Sequence, residues 1–423
     1  METAPNLGGF DAVEGGSAQL GNGAPRLRGM GKTAGSQFTD SLVNRVFQDF
    51  LGRVPAHCPL LGRLLIVPWL AGIWLCNPTL ELAAVEYSIV DLGDLGTGYA
   101  RSWSINQQGQ VVGDALLAVS PGTYADRAVT WTASGISDLG TLGGQSSAAW
   151  DINSSGTVAG WANNASGYAL PTVWLGGIAT ALPTLGGSQG WARGLNDYGV
   201  TVGNASLSSG LYYHAALWDG GKVNDLGTLG GTVSVAYDIN NRGTVVGSAA
   251  DILGRTRAVL WGNSGPLDLG GLSGGQWSAA REINDSGQVI LWGDPAGVAQ
   301  NRAAFWDGNP LSPVIDLGTL GGSQSWAYGL NNEGFVVGTA YEQNGTYHGF
   351  VWDGANMADL GTLGGYYSAA YGINDQGIIV GFALDELGDT HAVEWVPVSD
   401  FGSTALLLFS CLGVLWLYHQ RAA

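Results

Sequence analysis

The chain has 423 residues, with 16 Lys and Arg against 34 Asp and Glu for a formal charge of -18. That balance excludes nucleic acid as a partner, because such binding rests on cations that neutralise phosphates. Seventy Gly would suggest low complexity, yet 17 Trp, 15 Tyr and 45% hydrophobic residues supply the apolar surface that a disordered chain lacks.

Residues 1–58 are Gly-rich, then carry Phe38, Leu42, Val46, Phe47, Phe50 and Leu51 at helical spacing, which predicts a short amphipathic helix in a low-complexity extension. Met30 offers a second start, which would leave much of this extension out of the natural protein. Over 59–84 the uncharged run 64–76 follows Arg63. It has the length of an export-signal core and, at about 20 Å of helix, falls short of a bilayer. The cleavage region near Ala84 has Leu82 where a small residue is expected, so retention as an anchor stays open. Cys58, Cys76 and Cys411 all lie outside the region that follows, which therefore has no disulfide framework and no thiolate metal site.

Residues 87–397 repeat one unit seven times. An Asn after Ile or Leu marks each copy, at Asn106, Asn153, Asn196, Asn240, Asn284, Asn331 and Asn374. A Trp keeps the same beat, at Trp131, Trp174, Trp218, Trp261, Trp306, Trp352 and Trp395. Such a period is the mark of stacked supersecondary units. Each copy reads as four short strands: one carrying Asp-Leu-Gly, one with Ser-x-Ala-x-x-Ile-Asn, one with Val-Val-Gly-x-Ala, and one ending on the Trp. A Gly stands three residues after every marker, from Gly109 to Gly377. Asn tolerates left-handed geometry and Gly accepts positive φ, so Asn-x-x-Gly between apolar runs predicts a hairpin. In the second strand, small residues four before the marker are expected to let sheets approach. The Trp, Tyr or Arg three before it is expected to fill the gap between sheets.

Four strands in about 44 residues fit an all-β, seven-bladed propeller of four-stranded blades. The rival is an open β-solenoid. The array opens on a first strand and ends on a fourth, so pairing of its N-terminal and C-terminal strands would close the ring and remove exposed edges.

A basic group stands four before the Trp in six copies, and the Asp-Leu-Gly Asp follows 11 or more residues on. The expected structural pairs are Arg127 with Asp138, His214 with Asp225, Arg257 with Asp268, Arg302 with Asp316, and His348 with Asp359. Each would face its partner on adjacent antiparallel strands. Leu170 and Ala181 are missing together. In a closed ring His391 pairs with Asp91, whereas in a solenoid these two lie at opposite ends.

Six copies of one pair indicate scaffolding, and no nucleophile elbow, zinc spacing or phosphate loop is present. No catalytic residue, metal site or cofactor is therefore expected. The channel candidates are Asp151, Asp238 and Glu282, each two before a marker Asn; they could meet for acid/base work or cation binding if the second strand lines a channel. Asp294 and Glu342 read as loop residues without an implied partner. Two functions follow: a non-enzymatic propeller binding a glycan or protein, or a propeller hydrolase or lyase acting on extracellular polysaccharide. An exposed aromatic patch favours the first; a carboxylate pair in a cleft favours the second.

Asp-Leu-Gly-Thr-Leu-Gly-Gly, as at 138–144, together with Ile-Asn-x-x-Gly-x-Val-Val-Gly and a His/Arg-Ala pair before Trp, resembles the HAF repeat family of bacterial extracellular proteins. The chain departs from the pattern in using Arg as often as His and in carrying Leu291 where other copies have Gly. The resemblance implies export and a repeat scaffold. Residues 398–423, with Val396, Pro397, Ser399 and Gly402 ahead of the apolar run 405–418 and terminal Arg421, resemble a PEP-CTERM sorting segment of the Val-Pro-Asp-Ser-Gly variant. That likeness implies export machinery and an exosortase as partners, transient membrane contact through this segment, and a cell-surface or extracellular location. The run is shorter than a bilayer span of about 20 residues; a plain tail anchor is the alternative.

Overall fold

The computed structural model describes residues 86–262, 265–296 and 300–398. The extension 1–58, the segment 59–84 and the tail from Ser399 onward lie outside them. Among the described residues all regular elements are β-strands, and no helix is long and apolar enough to cross a membrane.

Strand β1 (Tyr87–Asp91) stands ahead of a series of antiparallel meanders. One sheet is β2 (Ala100–Ile105), β3 (Val111–Ser120), β4 (Thr123–Thr132) and β5 (Gly135–Asp138). The next is β6 (Gly143–Ile152), β7 (Val158–Asn164), β8 (Ala169–Leu175) and β9 (Ile178–Ala181). Then come β10 (Gly186–Leu195), β11 (Thr201–Leu207), β12 (Tyr213–Asp219) and β13 (Lys222–Gly227), and after them β14 (Gly230–Ile239), β15 (Val245–Asp251), β16 (Thr256–Gly262) and β17 (Gly265–Gly270). A shorter set is β18 (Ser278–Ile283), β19 (Val289–Gly293), β20 (Arg302–Trp306) and β21 (Ile315–Asp316). The last sheet has eight strands. It holds β22 (Gly321–Leu330), β23 (Val336–Glu342), β24 (Tyr347–Trp352) and β25 (Met357–Asp359), then β26 (Gly364–Ile373), β27 (Ile379–Asp385), β28 (Thr390–Pro397) and β1. A single parallel pair, Tyr347 with Tyr367, joins its two halves.

These four-stranded units are arranged as the blades of a propeller. Their first strands touch in succession, β2 with β6, β6 with β10, and onward to β22 with β26 and β26 with β2. β28 pairs with β1, Val393 opposite Asp91 and Pro397 opposite Tyr87, and the Val398 N–H donates to the Glu86 carbonyl at 2.8 Å.

The turn chemistry follows the expected pattern. Gly199, at φ 78°, donates its N–H to the Asn196 carbonyl at 3.0 Å, a geometry that an L side chain resists. The Gly of Val-Val-Gly, on the second strand of each set, has a different cause. A Cβ at Gly338 would lie 1.9 Å from the Trp326 carbonyl oxygen, and one at Gly381 would lie 1.9 Å from that of Ala369. Leu291 stands at this position in the set whose first strand, β18, is the shortest of the series together with β2.

The core lies between sheets. Ala159 of β7 packs with Ala192, Leu195 and Trp218 of the next sheet, and Val337 of β23 packs with Ile373, Ile379 and Trp395. The same kind of cluster joins the two ends of the array, where Val380 and Ala392 meet Ala100, Ile105, Val111 and Trp131. The residues that fill these gaps are the Ile or Leu before each marker and the repeat Trp, among them Trp174 and Trp395 at 1% and 0% exposure. Trp, Tyr and Arg three before the marker do not fill them. The register shows why: in β14, Ala236 faces Gly247 and Asp238 faces Val246, so Tyr237 is an extra, unpaired residue. The same bulge falls at Trp103, Trp150, Arg193, Arg281, Tyr328 and Tyr371. A bulge breaks strict alternation and re-aims a side chain, here away from the sheet gap and toward the ring of first strands.

Candidate functional site

The seven bulges place one large side chain per copy where the first strands converge, followed in four copies by a polar one, Ser104, Asp151, Asp238 or Glu282. The bulged residues touch one another in sequence. Trp103 stacks on Tyr371 at 4.2 Å and 25°, and Tyr371 meets Tyr328 edge-on at 5.1 Å. The Arg281 guanidinium lies 6.0 Å from the Tyr328 ring and 4.4 Å from that of Tyr237. The Arg193 guanidinium lies 5.3 Å from the Tyr237 ring on its other side in the series and 4.8 Å from that of Trp150. Arg193 also donates through Nε to Asn204 at 3.1 Å. A third guanidinium, Arg101, sits 4.9 Å over Trp103 and pairs with Asp114 at 3.4 Å; Trp103 Nε1 donates to the same carboxylate.

Directly after the bulge come the channel candidates. Asp151 accepts from the Leu195 N–H at 2.9 Å and from Ser104 Oγ at 2.9 Å. Asp238 accepts from the Ile283 N–H at 2.9 Å, and Glu282 from the Leu330 N–H at 3.0 Å. Each carboxyl therefore stitches its strand to that of the next copy. Each keeps some accessible surface although protein encloses it; enclosure governs the electrostatics, since a sliver of water solvates a charge poorly. Burial raises Asp151, and burial with the Asp151 charge pushes Asp238 up to about 7. Burial, then Asp238 and Asp151, raises Glu282 well above the usual carboxylate range. The three feel one another's charge but do not close around one ion: among the described residues only Glu342, His348 and Asp359 bring three ligand atoms within 4.8 Å of one another.

One level further along the strand the marker Asn side chains form a ladder. Asn106 donates to the Asn153 carbonyl at 3.1 Å, and the pattern continues through Asn196, Asn240, Asn284 and Asn331 to Asn374. Beyond them lies a ring of acids and amides. Asp197 N–H donates to Asn241, Asn241 N–H to Asp285, Asp285 N–H to Asn332 and Asn332 N–H to Asp375. The type of residue after the marker was the only sequence trace of this ring.

The structural pairs lie away from the axis, on the third and fourth strands of each sheet. Arg127 is 3.6 Å from Asp138, His214 2.8 Å from Asp225, Arg257 3.1 Å from Asp268, His348 2.9 Å from Asp359 and His391 2.9 Å from Asp91. Arg302 and Asp316 do not form the expected pair: no ion pair joins them, and Arg302 Nε is buried without a partner. The insertion around Asn309 leaves β21 only two residues long, although Asp316 still caps the Gly318 N–H at 2.8 Å. That capping recurs at Asp91, Asp138, Asp225, Asp268 and Asp359, so the Asp of Asp-Leu-Gly shapes a turn before it meets a cation. The inner-strand Ser was an unrecognised tie as well. Ser234, for instance, accepts from the Ala215 N–H at 2.8 Å and donates to the Gly227 carbonyl at 2.7 Å.

Glu342 and Asp294 have partners that spacing did not reveal. Glu342 ends β23, accepts from Thr346 Oγ1 at 2.6 Å and lies 3.8 Å from His348 Nε2. Asp294 accepts the N–H groups of Gln276 and Trp277. A second aromatic cluster runs from Trp326 to Tyr341, Tyr347 and Tyr367, the last two stacked at 4.5 Å, beside Tyr366 at 74% exposure. Val396 and Pro397 of the sorting motif belong to β28; Ser399 and Gly402 lie outside the described residues.

No family model and no curated protein matches the chain. Solved structures similar to it include TolB from Acinetobacter baumannii, at 14% identity and a TM-score of 0.40, with 73% of this chain and 65% of that one covered. A Trypanosoma rangeli sialidase gives 12% identity and a TM-score of 0.37, with 79% and 61% covered. A gluconolactonase from Xanthomonas campestris gives 14% and 0.31, with 52% and 80% covered. The likeness to these propeller-type structures is one of fold.

Proposed function

We propose that 87–397 is a closed ring of seven blades in an exported bacterial surface or extracellular-matrix protein of the HAF repeat kind, which binds a glycan without cleaving it. The Asn ladder and the β1–β28 pairing support the closed ring. The export signal at 59–84, the sorting segment at 398–423, and export machinery and an exosortase as partners rest on sequence pattern.

One observation carries the binding function: the partly buried arc Trp103, Tyr371, Tyr328, continued by Arg281 and Tyr237. Flat rings with polar tips give large contact area at little entropic cost and leave hydrogen-bonding groups at their edges. Binding a glycan suits this surface better than binding a protein, whose interface needs a broad apolar centre. Asp151, Asp238 and Glu282 are already engaged by backbone N–H donors, which favours a structural role over proton transfer.

The enzymatic alternative has its own support. Asp126 lies diagonally across β3 and β4 from Asp114, and burial with the Asp114 charge raises its pKa. Two carboxyls in unlike environments are the form that acid/base hydrolysis of a glycoside takes. A glycan array with the purified full chain, followed by product analysis on each hit, tests both. Hits without products support binding, products support the enzyme, and an array without hits removes both.

A further inference from the structure

Resting on the glycan-binding function, we propose that Arg281 docks the carboxylate of an acidic sugar, a hexuronate, whose ring lies against the arc of Trp103, Tyr371 and Tyr328. Arg281 is stacked and not ion-paired. Its guanidinium is 4.4 Å from the Tyr237 ring centre and 4.7 Å from that of Trp292. It reaches Asp238 and Glu282 through space, with no hydrogen bond to either, and its buried Nε has no partner.

Stacking uses the faces of a guanidinium. Its N–H donors lie along the edge, in a fork that matches a carboxylate. The first copy supplies an internal precedent: there Arg101, also on an aromatic face, takes Asp114 as its carboxylate. In the fifth copy Ala279 and Trp292 stand where the first has Arg101 and Asp114, so that internal pair is absent and Trp292 gives Arg281, which stands on the bulge, a further ring instead of an acid. Burial, then the charges of neighbouring carboxyls, raise the pKa of both Glu282 and Asp238 and so disfavour their ionised forms beside Arg281. Beside it, the arc offers an apolar shelf for the C–H face of a pyranose. An acidic sugar is the ligand that uses both parts at once.

Calorimetry with the full chain, using oligomers of glucuronate and of glucose matched in linkage and length, tests the proposal. Wild-type protein is expected to favour the glucuronate oligomer by about tenfold or more, as suits a charge-assisted bidentate contact, and R281Q to abolish the preference while keeping weak binding of both. Equal affinities in the wild type, or a preference that survives in R281Q, overturn the proposal. Should R281Q fail to fold, the wild-type comparison decides alone. If other glycans on the array bind and neither oligomer does, Arg281 loses this role while glycan binding stands; if no glycan binds, both fall.

Discussion

Asn374 donates its side-chain amide to the backbone carbonyl of Asn106 at 3.3 Å, across 268 positions of sequence. It is the same bond that each earlier marker makes to the next, and it links the last copy to the first. Both side chains are buried, at 1% and 4% exposure.

Replacing this donor should cost as much at the seam as in mid-array. Asn374 also accepts the N–H groups of Gln376 and Ile378, as Asn240 accepts those of Arg242 and Thr244. Either Asn→Ala change leaves buried groups unpaired, each worth about 1–3 kcal/mol. Urea unfolding is expected to show similar losses for N374A and N240A. A nearly silent N374A beside a damaging N240A would mean that the seam carries no load and the array behaves as an open stack.

The charged pairs permit an internal control. Arg257 and Asp268 are 3.1 Å apart with Asp268 largely exposed, so a double-mutant cycle should give a coupling of about 0.2–1 kcal/mol. The cycle on Arg302 and Asp316 should give none, because the insertion around Asn309 leaves β21 two residues long and no ion pair joins the two side chains. Equal couplings in the two cycles would contradict the separation of Arg302 from Asp316.

Much of this was legible in sequence because it depends on local chemistry repeated seven times. Asn-x-x-Gly dictates a hairpin by itself, and the mismatch between the first and last strands pointed to their pairing. The bulge was not legible. At Tyr237 and Asp238 two neighbours leave the period-2 pattern together, and alternation alone assigns them to opposite faces. The axial arc therefore read as sheet packing, and Arg281 as one variant of a bulky position. Arg302 and Asp316 failed for a related reason: spacing counts residues, whereas the insertion around Asn309 changes what those residues can reach.

His348 offers a pH test of the pairs. The hydrogen bond to Asp359 raises its pKa, against burial, with the Asp359 and Glu342 charges adding to the rise. A raised folded pKa contributes stability that is full below the unfolded value of about 6.5 and is lost as pH rises through the folded value. Asp359 behaves oppositely: burial opposes ionisation, but His348 and the Gly361 N–H outweigh it and lower the pKa. Its share is present above about 3.9 and lost as pH falls through the folded value. The pair thus supports the fold most between about 4 and 6.5. Thermal midpoints of the wild type minus those of His348→Gln should be greatest in that window and shrink above it. A difference that stays flat from pH 5 to 9 would rule out the ionised pair.

Asp238 should produce a slope of the same sign for a different reason. Its carboxyl is pushed up to about 7 by burial and then by Asp151, so between about 3.9 and 7 the folded chain holds a proton that the unfolded chain releases. Stability from this site is full below about 3.9 and is lost as pH rises through about 7, by on the order of 4 kcal/mol at most. Because Asp151 and Glu282 share the field, the three titrate as a set and the share of one site is smaller. Asp238→Asn keeps a neutral side chain at every pH and retains one acceptor oxygen, so it should be no more stable than the wild type at pH 4.5, where one of the two N–H groups now bonded by Asp238 loses its acceptor. At pH 8 the balance should tip toward the variant, since only the wild type must then hold a charge in that enclosed position. Urea midpoints measured at both pH values decide the matter: parallel wild-type and variant curves would show that Asp238 is ionised throughout and that the axial carboxyls are better solvated than their enclosure implies.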